Sequence, residues 1–345
     1  MRILMIGPDR SVHGGISGVV NNYYEAGLDK RVRLTYIGTM VEGSKLRKLL
    51  KAAAAYLCFL LWLPGFGLVH VNMASDASYY RKSVFVRTAR LFRKRIVIHQ
   101  HGGDFENFYG GLSDKGKERV RRVLAMGDAF VVIAPYLGEF FGRLIGREKI
   151  TVLPDSIPIP PPVSKKYGCR RILFLGRICR EKGIGELLGV MPSLKERFPD
   201  VRLYLGGIFE DPELKGQVEA LSGCTEWIGW VSGEEKEKYL RECDIFVLPS
   251  YFEGQSVAIL EAMAYSCTVV ASNVGGIPQM IVEGKTGILI EPRNAQDLER
   301  GLMEALSDEA LCRRLGGSAR GKVEAEFSIE ENMEQLLLVY KKVLE

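Results

Sequence analysis

The chemistry-bearing residues gather in a few short runs. In FEGQSVAILEAMA, Glu253 and Glu261 stand eight positions apart, about 2.2 helical turns, so they cannot be neighbours on one helix face. Glu253 precedes Gly254 and Gln255, which predicts a helix opening just after it. The backbone N–H groups of Gln255, Ser256 and Val257 would then point out of the first turn and make a site for an anion or a polar sugar. Glu253 would accept hydrogen bonds from sugar hydroxyls. Glu261 sits among Ala, Ile, Leu and Met, and a buried carboxylate needs partners. A ribose diol would serve, and so would a salt bridge to a neighbouring strand. In LGRICREKGIGELL, Arg177 and Lys182 flank a turn that enters a helix. Two cations beside helix N–H groups suit a diphosphate; plain surface charge is the other reading of each, and of Arg180 beside Glu181.

Two weaker signals lie upstream. GPDRSVHGGISGVV follows the first apolar run and opens a helix, with Gly14 and Gly15 free to let a ligand approach the backbone. It is not a GxGxxG dinucleotide fingerprint, and a tight turn explains it equally. His99 and His101 end another apolar run. His101, followed by Gly102 and Gly103, is the better candidate for a cleft, against a satisfied loop histidine. The pair of histidines, spaced by two, could ligate a metal, but no further Cys, His or Asp grouping has metal-ligand spacing.

These runs need a scaffold. Short β-rich stretches at 2–7, 32–38, 67–72, 95–100, 129–134 and 149–154 alternate with helical segments at 16–28, 45–63 and 78–92. After PDSIPIPPPVSKK, a hinge with five prolines in residues 154–166, strands resume at 170–176, 201–207, 225–231, 244–250, 268–273 and 286–292. The alternation predicts parallel sheets with right-handed crossovers, hence two doubly wound α/β domains whose ligands gather at the carboxyl ends of the strands. Domains over 1–160 and 161–327 are expected, with an amphipathic helix over 328–345 returning to the first and capped by a Ser328/Glu331 box. A chain of 345 residues suits two cores better than one.

Seven scattered cysteines without a CxxC read as free thiols in a reducing compartment. Met1–Gly7 reads as a strand and not as a leader. Together these point to a cytoplasmic protein. The net charge of +5 hides an asymmetry: residues 1–150 hold 24 Lys/Arg against 12 Asp/Glu, and the remainder holds 23 against 30. A basic half favours anionic partners.

Taken together, GRICREKG, WIGWV and the run from Tyr239 to Pro292 closely resemble the GT-B glycosyltransferases of family 4, the retaining, nucleotide-sugar-dependent group. The first half resembles them more loosely, through Gly14–Gly15 and His101–Gly102. The resemblance implies a GT-B fold of two Rossmann-like domains facing across a cleft. It implies that Arg177 and Lys182 hold the donor diphosphate and that Glu261 binds the ribose. Glu253, Gly254 and the amides of Gln255, Ser256 and Val257 would hold the transferred sugar. Gly15, with Gly14, would meet the phosphate, His101 would line the sugar pocket, and the backbone around Gly229–Val231 would pair with the nucleobase. His101, Glu253, Arg177 and Lys182 are the implied catalytic set. No metal or other cofactor is implied, and uridine is the favoured base. Where the family often has Asn-Gly, this chain has Asp155-Ser156, and Asp155 receives no role.

The segment KLRKLLKAAAAYLCFLLWLPGFGLV runs from 45 to 69. Pro64 and Gly65 interrupt it, so no spanning helix is expected; it reads either as a wholly buried helix or as one that also touches lipid. With the further cations from Arg81 to Arg122, it points to an anionic membrane surface. The expected protein is thus a peripheral enzyme of the inner membrane face that moves a sugar, from a UDP-sugar, onto a lipid-linked or polysaccharide-precursor acceptor. The alternatives are a nucleotide-sugar epimerase of GT-B shape and a non-catalytic nucleic-acid binder. The second is disfavoured by the acidic half, which repels phosphates, and by the lack of an aromatic-and-basic RNA motif.

Overall fold

A computed structural model describes all 345 residues. The chain divides into two compact units, Met1–Pro158 with Ser328–Glu345, and Ile159–Phe327. The crossing from Pro158 to Ile159 lies inside the proline-rich stretch.

The first unit runs β1 (Arg2–Gly7), α1 (Gly15–Glu25), α2 (Leu28–Arg31), β2 (Arg33–Gly38), α3 (Lys45–Trp62), β3 (Leu68–Met73), α4 (Asp76–Leu91), β4 (Arg95–Gln100), α5 (Phe105–Gly110), α6 (Asp114–Leu124), β5 (Ala129–Val132), α7 (Pro135–Ile145) and β6 (Ile150–Val152). Its strands form one parallel sheet in the order β2-β1-β3-β4-β5-β6. Strands such as ILMI and LVHVNM are buried along nearly their whole length, as parallel strands covered on both faces must be.

The second unit runs β7 (Arg171–Leu175), α8 (Ile184–Arg197), β8 (Arg202–Gly206), α9 (Pro212–Ala220), β9 (Thr225–Gly229), α10 (Gly233–Glu242), β10 (Ile245–Leu248), α11 (Val257–Ala264), β11 (Thr268–Ser272), α12 (Ile277–Met280), β12 (Ile288–Ile290), α13 (Ala295–Ser307) and α14 (Glu309–Glu326). Its parallel sheet has the order β12-β11-β10-β7-β8-β9. The last helix, α15 (Ile329–Leu344), belongs to the first unit. There Tyr340 meets His70 Nδ1 at 2.6 Å, and Asn332 Oδ1 accepts from the Tyr23 hydroxyl at 2.6 Å.

Both sheets change direction at a switch point, β1/β3 in one and β7/β10 in the other, where doubly wound sheets leave a crevice beyond the strand ends. The loops leaving those strands carry most of the residues singled out by type.

Two expectations need correction. Ser328 caps α15 by position, yet its hydroxyl donates to Glu330 Oε2 at 2.6 Å and bonds no helix N–H; the Ser328/Glu331 box is absent because the nearer carboxylate takes the hydroxyl. The wholly buried reading of the 45–63 helix also fails. Within α3 only Ala55 and Phe59 are buried, while Leu46, Leu50, Leu57 and Leu61 are 65, 62, 61 and 78% exposed. No helix is long and apolar enough to cross a membrane.

Candidate active site

In the second unit the loops after β7 and β10 are stitched together. Past β7, a 3₁₀ turn at Arg180–Lys182 leads into α8 through Gly183, whose φ is +69°. A Cβ there would lie 2.1 Å from the Pro249 carbonyl oxygen, so only glycine gives both the left-handed turn and the close approach. The Tyr251 N–H donates to the Glu181 carbonyl at 2.8 Å. Across this seam Lys182 Nζ donates to Glu253 Oε1, and the Ser250 hydroxyl donates to the same oxygen at 2.9 Å. The side chains of Lys182 and Glu253 are 17 and 10% exposed. Removing either would leave the other charge poorly solvated, a cost of about 3–5 kcal/mol for a buried pair. The loop after β11 closes in as well: Gly276 N–H donates to the Glu253 carbonyl at 3.2 Å, and a Cβ on Gly276 would meet the Gly254 carbonyl oxygen at 1.9 Å.

α11 begins at Val257, with Ser256 as its cap and the Ser256 hydroxyl oxygen accepting from Ile259 N–H. The amides of Gln255, Ser256 and Val257 therefore stand at the entry to this helix. Glu261 lies one turn inside it. Its side chain is 20% exposed and accepts from Lys236 Nζ of α10 at 2.6 Å. The buried carboxylate expected from its apolar neighbours is thus half-sheltered, and its salt bridge comes from a helix and not from a strand. Arg177 is 53% exposed and donates to Glu210 at 2.7 Å. The loops after β7 and β8 are held alongside each other, Ile178 N–H donating to Ile208 O at 2.9 Å and Glu210 N–H to Ile178 O at 3.0 Å. Val231 is buried two residues past β9, and the Gly229 carbonyl is already taken by Gly207 N–H at 2.7 Å. Arg180 pairs with Asp211 and Glu213, as ordinary surface charge does.

So the structure brings Lys182, Glu253, Gly254 and the α11 entry together at one switch point. It gives Glu261 and Arg177 separate partners. Each cation already has a carboxylate, so an incoming diphosphate would exchange one anionic partner for another. Lys236, Ser250 and Glu210 escaped sequence reasoning. Lys236 lies in the mixed-charge run GEEKEKYL, where no spacing marks it.

In the first unit, Gly14 caps α1 in an extended conformation, and a Cβ on Gly14 or Gly15 would meet nothing within 4 Å; the protein itself imposes no close approach there. His101 follows β4 and is nearly enclosed. Asn72 Nδ2 donates to the Ile6 carbonyl at 3.2 Å, which turns its Oδ1 toward His101 Nε2, 2.9 Å away. On the other side His101 Nδ1 stands 3.2 Å from Asp155 Oδ1. Asp155, given no role from sequence, is thus a direct partner of the candidate histidine, 54 residues distant in the chain. The His99 ring lies against that of His101, with centroids 4.0 Å apart and the planes tilted by 32°. Ligand atoms of His99, His101 and Asp155 lie within 4.8 Å of one another, a grouping hidden from a search by spacing. Burial holds His99 well below the usual imidazole range, with His101 and His70 adding to the effect. Burial also draws His70 down to about 3.

Residues 159–322 match the family model described as glycosyl transferases group 1. Among curated relatives, the alpha-maltose-1-phosphate synthase of Mycolicibacterium smegmatis is 34% identical over 188 residues, 50% of this chain and 48% of that protein. The phosphatidyl-myo-inositol mannosyltransferase of the same organism is 33% identical over 154 residues, 44% of this chain and 39% of that protein. The chain thus spans about half the length, or less, of these curated relatives. Among solved structures, the sucrose-phosphate synthase of Thermosynechococcus elongatus superposes with a TM-score of 0.81 at 22% identity, over 99% of this chain and 98% of that one. HepE of Anabaena, solved with UDP, gives 0.75 at 16% identity over 99 and 100%. These likenesses show the GT-B fold.

Proposed function

We propose, from the premise that residues 159–322 belong to the glycosyl transferases group 1, that this protein moves a sugar from a nucleotide-sugar donor to an amphiphilic, lipid-linked or polysaccharide-precursor acceptor at a membrane face. The observation that carries the reading is the Lys182–Glu253–Ser250 cluster at the β7/β10 switch point, set beside the entry of α11. A cation and helix-entry N–H groups in one crevice are what a departing diphosphate requires, because fixed donors stabilise the developing charge without reorganising. Glu253 is the hydroxyl-binding group that orients the sugar, and Glu261 takes the ribose. Arg177, exposed and hinged on Glu210, closes on the diphosphate. Val231 marks the nucleobase end, Gly14 and Gly15 offer the α1 entry to phosphate, and His101 borders the sugar.

Uridine diphosphate is the proposed leaving group, and transfer proceeds with retention: the acceptor hydroxyl attacks from the leaving-group face and gives its proton to the departing phosphate. No metal takes part in this reading. The membrane face is supported by the exposed leucines of α3 and by the basic first half.

A thermal-shift panel of UDP-, GDP- and ADP-sugars tests the donor, since ligand binding to the native state raises apparent stability. One nucleotide series should stabilise the protein and the Lys182→Ala variant should lose that response; a flat panel would sink the proposal. Release of free UDP together with a glycosylated acceptor separates transfer from epimerisation, which returns the nucleotide sugar intact.

A further inference from the structure

α3 is apolar on two opposite sides. Counted at about 100° per residue, Ala55 and Phe59 point into the unit, where both are buried. Leu46, Leu50, Leu57 and Leu61 point the other way and are mostly exposed. They form a track about 22 Å long. Along one flank of its first turns lie Arg47 and Lys51. A groove of about 570 Å³ opens there, lined by Val41, Ser44, Leu46, Arg47, Leu50 and Lys51 among others.

The cationic end of this groove is tied to the switch-point loop. Lys51 Nζ donates to Asp9 Oδ2 at 2.8 Å, and Asp9 N–H donates to the Met40 carbonyl at 2.8 Å. The Lys51 hydrogen bond holds the Asp9 carboxyl below its usual range. No carboxylate lines the groove; Glu42, in the loop before it, is occupied by His13 at 2.9 and 3.0 Å. One wall is thus aliphatic and continuous with the leucine track. The other presents Arg47 and Lys51, the latter paired with Asp9 of the loop after β1.

We infer that this groove binds the phosphate and first chain segment of a single-chain lipid phosphate. The phosphate lies against Arg47 and Lys51, and the hydrocarbon runs along Leu46 and Leu50 toward Leu57 and Leu61. An inorganic anion would leave the aliphatic wall unused, and a neutral lipid would leave the cations unused; one amphiphile uses both. This identifies the lipid-phosphate anchor of the acceptor, whose linked sugar carries the attacking hydroxyl, and rests on the transferase reading above.

The test is direct binding, by calorimetry, of monomeric farnesyl phosphate, farnesol and inorganic phosphate, alongside flotation with anionic vesicles. Farnesyl phosphate should bind saturably and at least about tenfold more tightly than either fragment. Arg47→Glu and Leu50→Asp should each weaken it by about tenfold or more, and Arg47→Lys should retain most of it. Leu61→Asp, at the far end of the track, should weaken vesicle flotation while changing farnesyl phosphate binding less than about threefold. Equal binding of farnesol, wild-type affinity in both groove variants, or flotation without monomer binding would each overturn the inference. The nucleotide thermal shift, run on every variant, reports folding and the donor unit. Groove binding without any nucleotide response would leave the groove standing and remove the transferase reading instead.

Discussion

The two units share an architecture and differ in how they treat their charges. In the second, the charged side chains around the switch point are paired: Lys182 with Glu253, Lys236 with Glu261, Arg177 with Glu210. In the first, several polar atoms are buried without a protein partner, including Lys82 Nζ, Arg81 Nε and both ring nitrogens of His99. The same unit leaves leucines in the open on α3. Under the proposed transferase reading, cations held in place by carboxylates would be preorganised for an incoming diphosphate. The unpaired groups of the first unit lower its stability, because burial without partners is costly. The lesson is that one fold can be preorganised in one half and unsatisfied in the other, so that removing a charge should destabilise the paired half and relieve the unpaired one.

The sharpest way to break this contrast is Lys182→Ala. It should lower kcat by about 10²–10³-fold, the scale of losing a preorganised donor to developing charge, and destabilise the second unit by about 3 kcal/mol as Glu253 is left alone. Steady-state kinetics and denaturant titration check both; an unchanged kcat would remove the cluster from the chemistry.

Acid should act on the other half. His70 is drawn from its ordinary 6.5 down to about 3 by burial, so the unfolded chain binds more protons across that window. Stability should therefore fall as pH drops from about 6.5 toward 3, by a few kcal/mol. His99→Leu, which forfeits no hydrogen bond, should flatten part of that slope in pH-dependent melting.

Lys82 is fully buried and pulled down to about 7, by burial first and by Arg81 second. Its ammonium is a cost that is complete below pH 7 and fades as pH rises toward 10.5. Lys82→Met should stabilise the protein by about 1–3 kcal/mol at pH 6–7 and by almost nothing above pH 10.5. Equal stabilisation at both pH values would show that packing, not charge, is responsible.

The smallest expected effect is that of Lys236→Ala. The pair with Glu261 is 28 and 20% exposed, so its loss should cost under about 1 kcal/mol of stability and raise the donor KM only a few-fold. A larger rise in KM would place Lys236 itself on the nucleotide.

Much of this was readable beforehand. All twelve strands fall within a residue or two of the β-rich runs, because covered parallel strands leave unmistakable stretches such as LFLG and DIFVLPS. Glu253 and the α11 entry were legible from the glycine and the apolar run that follows. Asp155 was not. Its partner His101 is 54 residues away, and the departure from the family's Asn-Gly hid a carboxylate that meets the histidine directly. Lys236 was lost in the mixed-charge run GEEKEKYL, because its partner Glu261 lies 25 residues away and no spacing marks the pair.

Composition, alternation and loop chemistry by themselves determined that this chain builds two doubly wound α/β layers with its reactive residues at strand ends, since those features depend on neighbours within a few positions. Which cation meets which carboxylate, and which face of α3 is left outside, was decided by tertiary structure alone. An apolar helix such as KAAAAYLCFLLW carries no period that distinguishes its faces, and an ion pair between distant loops is a matter of distance in space, which sequence separation does not encode.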